Sequence, residues 1–225
     1  MPKVDAKAVL HGFWVSSCSW RVRAALYYKQ IPFEERNVDI VEEKKQLTDE
    51  FKVINPMQKV PALVIDGETL IESMAIIQYL EDTRPYPPLM PTTPLQRARA
   101  REICEIIVSG IQPLQNVGLR SQLASEEQYV NFTRYWCDRG LQTLEEILKK
   151  SAGTYCVGDK VSLADICLVP QLFNLLFDHL FYSISPTMLR EITSDLASPT
   201  CGFSGFYTAT INLSQKKYLW RIFST

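Results

Sequence analysis

Five prolines fall within the eleven residues RPYPPLMPTTP, from Arg84 to Pro94. Proline removes a backbone donor, fixes φ and pushes the preceding residue out of the helical region, so neither a helix nor a central strand can run through this stretch. The chain must be organised as two regions joined by an extended connector. Periodicity differs on the two sides, which sets the domain expectation: residues 1–88 as an α/β domain and residues 92–225 as an all-helical one.

Ahead of the connector the pattern reads β-α-β, a helix-like stretch, then a hairpin and a helix. KAVLHGFWV is strand-like. From Trp20 to Gln30, Val22, Ala25 and Leu26 recur at helical spacing, with Arg21, Arg23 and Lys29 expected to face water. IPFEERNVDI reads as a second strand with Pro32 at its mouth. In VPALVIDGETLI two β-rich runs flank Asp66-Gly67, a pair favoured by two-residue hairpin turns. ESMAIIQYLEDTRP places Ala75, Ile76, Tyr79 and Leu80 on one helical face, and Pro85 ends that helix.

Beyond the connector the pattern is helical. Thr93-Pro94 supplies an N-cap and a first-turn proline. Ala98, Ile103, Ile106, Ile107 and Ile111 form the apolar stripe that follows. Arg97, Arg99 and Arg101 alternate, so they point apart and read as a solvated face rather than an anion site. Ser125 and Gln128 make a capping box ahead of Tyr129, Phe132, Trp136, Leu144 and Leu148. Those aromatics could line a pocket, although core packing alone accounts for them. In VSLADI, Ser162 can cap a helix, Asp165 can reach back to its backbone and Val161 can staple onto Ile166; this reads as a folding device.

Charge is nearly balanced, with 24 basic and 25 acidic residues, so nothing favours nucleic acid or an acidic membrane surface as partner. No apolar run approaches the ~20 residues of a membrane-spanning helix. MPKVDAKAVLHGF lacks the features of a secretory or transit leader, and a soluble, cytoplasmic protein is expected. Six cysteines (Cys18, Cys104, Cys137, Cys156, Cys167, Cys201) are scattered without a C-x-x-C pair, and only His11 and His179 could join them. No metal site is expected, and most of these thiols read as reduced, buried small hydrophobes.

Candidate chemistry gathers at three places. VSSCSWRVR, from Val15, lies where a strand gives way to a helix, and exposed N–H groups with the helix dipole favour a bound anion there, a thiolate included. Val60-Pro61 precedes a strand, where a cis peptide would turn the Val60 N–H and C=O outward. Glu72-Ser73 opens the next helix, where N–H groups and a hydroxyl can hold a carboxylate. Turn chemistry, a trans loop proline and an ordinary N-cap are the structural alternatives for each. A β-α-β then β-β-α order would bring all three to one edge of a mixed sheet.

SSCSWRVR, INPMQKVPAL, ESMAIIQYLE, GIQPLQN and GTYCVGDKVSLADICLVPQ together resemble the zeta class of cytosolic glutathione transferases, from about Val9 to about Asn174. The resemblance implies a thioredoxin-like N-terminal domain that binds glutathione, followed by an all-helical substrate-side domain. It implies the glutathione-dependent isomerisation of maleylacetoacetate, a small anionic α,β-unsaturated substrate, and a homodimer. By the same resemblance Ser16, Ser17 and Cys18 form the catalytic motif, with the Ser16 hydroxyl holding the glutathione sulfur as thiolate. Ser19, Trp20 and Arg21 complete the cofactor-binding stretch. Gln46, Val60, Glu72 and Ser73 fall where the tripeptide's two ends are held, and Gln112, Asn116, Val117 and Gly118 where the second domain contributes. Pro113 is placed to bend that helix. Cys18 stays open as a rival nucleophile for thiol exchange, with Arg21 and Arg23 nearby.

The resemblance stops after LVPQLFN. The family's substrate-side arginine would fall at Phe177, which cannot pair with a carboxylate. The final thirty residues show no sustained helical stripe. This leaves a catalytically impaired glutathione-binding form or dimer partner as the alternative to a working isomerase.

Overall fold

The computed structural model describes residues 7–177, which divide into two units at Thr83/Arg84. The expectations for His179, Cys201 and the last thirty residues lie outside the described residues, as does the side chain of Phe177.

The first unit runs β1 (Ala8–Gly12), α1 (Ser17–Tyr28), β2 (Phe33–Asn37), α2 (Asp49–Ile54), β3 (Ala62–Ile65), β4 (Glu68–Ile71) and α3 (Ser73–Thr83). A single 3-10 turn, Lys45–Leu47, precedes α2. The four strands form one sheet in the order β2-β1-β3-β4, with β1 parallel to β2 and antiparallel to β3. The inner strands bury Ala8, Leu10, Ala62, Leu63 and Ile65, whereas the edge strand β2 carries Glu34, Glu35 and Arg36 on exposed positions. Charge on an edge opposes pairing with another chain. The hairpin expectation holds: Asp66 and Gly67 both have positive φ, 55° and 85°, as the two-residue turn requires.

Two expectations about helix faces are corrected. Arg21, Arg23 and Lys29 do not face water; they are 0%, 2% and 5% exposed. Burial continues around α1, so its basic side chains are drawn inward and matched by partners from elsewhere. Arg23 Nε lies 3.1 and 2.9 Å from the two carboxylate oxygens of Glu35, and Lys29 Nζ lies 2.7 Å from Glu81 of α3. On α3 the buried face is Ser73, Ile76, Ile77 and Leu80, while Ala75 is exposed and Tyr79 half-buried. Tyr79 instead donates its hydroxyl to Asp66 at 2.7 Å, tying α3 to the hairpin turn.

The second unit begins with the connector, whose Leu89 is buried and accepts a bond at 2.8 Å from the N–H of Leu163. Helix α4 (Pro94–Glu105) starts at the expected Thr93 cap and continues into a π-helical segment, Ile106–Ile111. A 3-10 turn, Gln112–Gln115, then leads to the short α5 (Val117–Arg120). Helices α6 (Glu126–Ser151) and α7 (Leu163–Phe177) complete the unit. The stripe on α4 is displaced from the expected one. Ala100 and Cys104 join Ile103, Ile107 and Ile111 inside at ordinary helical spacing, Ile106 is half-buried, and Ala98, on the opposite side of the helix, is exposed. Gln128 closes the Ser125 cap, and no helix among the described residues is long and apolar enough to cross a membrane.

The Asp165 device is more deeply built than a surface cap. Its carboxylate, fully buried, accepts from the N–H and hydroxyl of Ser162 at 2.7 and 2.8 Å and from the N–H of Cys156 at 2.8 Å. Asp165→Ala would leave these donors buried without an acceptor, so denaturant unfolding should show a loss of about 3 kcal/mol. His11 supplies a pH-dependent contribution. Burial lowers its pKa from 6.5, with Arg36 adding to the effect and Glu34 opposing it. The unfolded chain therefore takes up the proton first on acidification. Stability should fall as pH drops from about 7 towards the lowered value, and His11→Gln should flatten that slope in pH-dependent unfolding.

Candidate functional site

The register of the sheet decides what meets at its edge. His11 of β1 pairs with Ala62 of β3, and Ala62 pairs with Ile71 of β4. The chain leaving β1 towards Ser16, the Val60-Pro61 peptide entering β3 and Glu72-Ser73 leaving β4 therefore share one end of the sheet. β2 ends in step, with Gly12 paired to Asn37 and the Val38 N–H donating to the Gly12 carbonyl at 2.8 Å. Beneath these loops Phe13, Val38, Phe51 and Val60 form a buried cluster flanked by Val15, Ile40 and Ile54.

Each loop carries its candidate residues in a defined state. Ser16 is the N-cap of α1, and its oxygen accepts from the Ser19 N–H at 3.2 Å. That contact uses a lone pair and leaves the hydroxyl proton available to donate outward. Ser16 and Cys18 are half-buried, whereas Ser17, Ser19, Trp20 and Arg21 are buried. Ser19 is committed inside the fold, its hydroxyl accepting from the Phe13 N–H at 3.2 Å. Val60-Pro61 is cis, as expected. The Val60 side chain belongs to the buried cluster, so its backbone is what it has to offer. Glu72 is exposed with φ of 67°, an uncommon left-handed conformation for a non-glycine residue.

Arg21 joins two of these loops. Its Nη1 lies 3.8 Å from Cys18 Sγ and 3.5 Å from Ser73 Oγ, linking the starts of α1 and α3. Its Nε and Nη2 are buried with no hydrogen-bond partner among the described residues. Arg23, held by Glu35, takes no comparable part, so only one of the two arginines expected beside Cys18 reaches it. The Arg21–Ser73 link went unread in the sequence; the only local signal was the Cys18/Arg21 spacing of three, which makes helical neighbours.

Gln46 stands in the loop after β2. Asp39 organises that loop by accepting from the N–H groups of Val41 and Glu42 at 2.8 and 2.9 Å, and the Val41 bond above all holds its carboxyl below the usual pKa. Gln46 Nε2 donates to Ile40 O at 3.3 Å, while its Oε1 is buried without a partner among the described residues. Gln46 Oε1 and Arg21 Nε and Nη2 are thus exceptions to the usual pairing of buried polar groups.

In the second unit Gln112 and Asn116 are half-buried, and Val117 and Gly118 exposed. Asn116 Oδ1 accepts from the Gly118 N–H at 2.9 Å, capping α5.

Residues 15–83 match the model of the glutathione S-transferase N-terminal domain, and residues 113–181 that of the C-terminal domain. A probable maleylacetoacetate isomerase of Drosophila melanogaster is 51% identical over 170 residues, covering 75% of this chain and 69% of that relative. The chain belongs to the zeta-class glutathione transferases. Within the class, the maleylacetoacetate isomerase of Mus musculus is 48% identical over 169 residues, covering 75% of this chain and 78% of the mouse protein. A bacterial maleylpyruvate isomerase of the zeta class, solved in its holo form, superposes with a TM-score of 0.80 at 32% identity, covering 87% of this chain and 94% of its own. The maleylacetoacetate isomerase of Methylobacterium extorquens AM1, solved with malonate and glutathione bound, gives a TM-score of 0.79 at 36% identity over 84% of this chain and 92% of its own.

Within this zeta-class motif, Ser19 serves the fold. Ser19→Ala should lower stability by about 1–3 kcal/mol in thermal or urea unfolding, because the buried Phe13 N–H loses its acceptor.

Proposed function

We propose that this protein catalyses the glutathione-dependent cis–trans isomerisation of maleylacetoacetate to fumarylacetoacetate, a step of phenylalanine and tyrosine catabolism, with glutathione transferase activity alongside. The reading carries a homodimer in the cytoplasm, residues 1–88 as the glutathione-binding domain and residues 92–225 as the substrate-side domain. Its support is the capped N-terminus of α1, where the Ser16 oxygen accepts from the Ser19 N–H and so keeps its hydroxyl proton available to donate.

When bound, glutathione supplies the thiol nucleophile that adds to the cis double bond and is released unchanged once the resulting single bond has rotated. The chain's own groups prepare for this. Ser16 donates a hydrogen bond from its hydroxyl to the sulfur, and the start of α1 adds the partial positive charge of unbonded N–H groups, so the thiolate is favoured over the thiol. The buried Arg21 guanidinium adds a full positive charge behind Cys18 and Ser73. Ser73, at the start of α3, holds a carboxylate of the tripeptide by hydroxyl and N–H. Val60 offers backbone groups, Gln46 an amide, and Glu72 the carboxylate suited to an ammonium group. Ser17, Ser19 and Trp20, being buried, act by holding the motif's backbone in place. Gln112, Asn116, Val117 and Gly118 are the second unit's contribution.

Cys18-based thiol exchange is the second reading, motivated by Arg21 Nη1 lying 3.8 Å from Cys18 Sγ. One set of variants separates the two. Ser16→Ala should be retained on immobilised glutathione yet lose roughly 10²–10³ in maleylacetoacetate turnover, the usual cost of one preorganised donor to an anion. Cys18→Ser should keep most of its turnover. Unchanged turnover in Ser16→Ala together with loss in Cys18→Ser would reverse the assignment. Retention of the unaltered chain without turnover would favour an impaired glutathione-binding form.

A further inference from the structure

Between α4 and α5 the backbone changes pitch twice in ten residues, from π-helical at Ile106–Ile111 to 3-10 at Gln112–Gln115, and Asn116 then leaves the helix at φ −63° and ψ 135°. Such a break frees carbonyl groups from their helical partners, and buried carbonyls need donors from elsewhere. Here the donors come from one stripe of α6. Thr133 Oγ1 donates to the Leu114 carbonyl at 3.1 Å, and Tyr129 Oη to the Gln115 carbonyl at 3.0 Å. One turn further on, Cys137 Sγ lies 3.6 Å from Gln115 Oε1. The same oxygen accepts from Gln171 Nε2 of α7 at 2.8 Å.

Residues 129, 133 and 137 repeat every four positions, which puts them on one face of α6. The next position on that face is Gly140, where an added Cβ would stand 2.6 Å from Ile111 Cδ1. Ile111, the last residue before the 3-10 turn, therefore occupies the space a side chain would need. Thr133 and Gln171 are both fully buried, and Gln171 Oε1 has no partner among the described residues. A leucine or methionine at 171 would avoid that desolvation cost. The polar choice is accounted for by what it fastens: the break immediately preceding Asn116 and containing Gln112.

We infer that Tyr129, Thr133, Cys137 and Gln171 are positioning residues for glutathione binding, clamping the 111–115 break so that Gln112 and Asn116 are held ready on a fixed backbone. This rests on the reading of Gln112 and Asn116 as glutathione-binding groups.

Calorimetric titration with glutathione, hydrogen exchange of residues 112–118 and turnover would be measured on the full chain. Thr133→Val and Gln171→Met should each weaken glutathione binding about three- to tenfold, the loss of one buried hydrogen bond, with kcat at saturating glutathione changed less than about twofold. Exchange across 112–118 should quicken while that of the first unit stays as it was. Thr133→Ser, which keeps the hydroxyl, should restore both. Leu148→Ala, on the same face of α6 but about three turns beyond Cys137 and so away from the 111–115 break, should lower the melting temperature and leave glutathione affinity alone. Tyr129→Phe provides the same test if Gln171→Met does not fold. Unchanged affinity in the stripe variants, with weakened affinity in Asn116→Ala, would overturn the inference and leave the glutathione reading intact. Unchanged affinity in both Gln112→Ala and Asn116→Ala would overturn the glutathione role of this segment and the inference with it. An affinity loss in Leu148→Ala equal to that in Thr133→Val would reduce the stripe to general stability.

Discussion

The pairing of Ala62 with His11 on one side and Ile71 on the other is the constraint on which the first unit depends. A side chain changes face with every one-residue slip of a strand, so the burial of Leu10, Leu63 and Ile65 holds this register in place. Once it is set, three connections of quite different kinds must emerge at the same end of the sheet: a strand-to-helix turn, a cis-proline entry and a hairpin-to-helix exit. The site is a consequence of the register rather than of any attraction among its residues. The Phe13, Val38, Phe51 and Val60 cluster then stiffens the loops from below, leaving their backbone groups and Ser16 at the rim.

Charge is handled differently at Arg21 and Arg23 of α1 and at Lys29, which caps its C-terminus. Arg23 and Lys29 are buried with carboxylates from other elements, the arrangement that offsets most of a cation's desolvation. Arg21 is buried with a thiol and a hydroxyl as its partners, two neutral groups when protonated. A cation so placed raises the positive potential at the starts of α1 and α3, where the helix dipoles already point the same way. That combination favours an anionic ligand and costs stability in its absence, a pattern typical of functional sites.

In the second unit, two polar constructions lie within otherwise apolar packing. The Asp165 carboxylate joins the start of α7 to the loop before it, and every bond it makes is local in sequence, within nine residues. The Gln115–Gln171 bond spans 56 residues and joins the break after α4 to the middle of α7. The first stabilises a helix start wherever that helix goes. The second is satisfied in one arrangement of three elements only, so it specifies geometry as well as adding stability.

Much of this was legible in the order of residues alone, because the signals concerned are local. The two-unit division follows from prolines that no regular element tolerates. The Asp66-Gly67 turn, the Thr93, Ser125 and Ser162 caps and the cis Val60-Pro61 peptide each depend on a few adjacent residues. The SSCSWRVR motif identified the zeta class because its order is specific. What the tertiary structure alone decided is which polar groups are inside and what they hold. Arg21, Arg23 and Lys29 have the sequence pattern of a solvated face, and only the elements packed around α1 bury them. Ala98 and Ala100 both lie in the regular part of α4, and the packed face runs through Ala100, Ile103, Cys104 and Ile107; an alanine does not by itself mark which face the neighbouring helices will cover. Gln115 meets Gln171 because three helices converge, and no local pattern encodes a contact between residues 56 apart. Local sequence determines the backbone conformations it can hold by itself; the pairing of buried polar groups depends on the partners that folding brings to them.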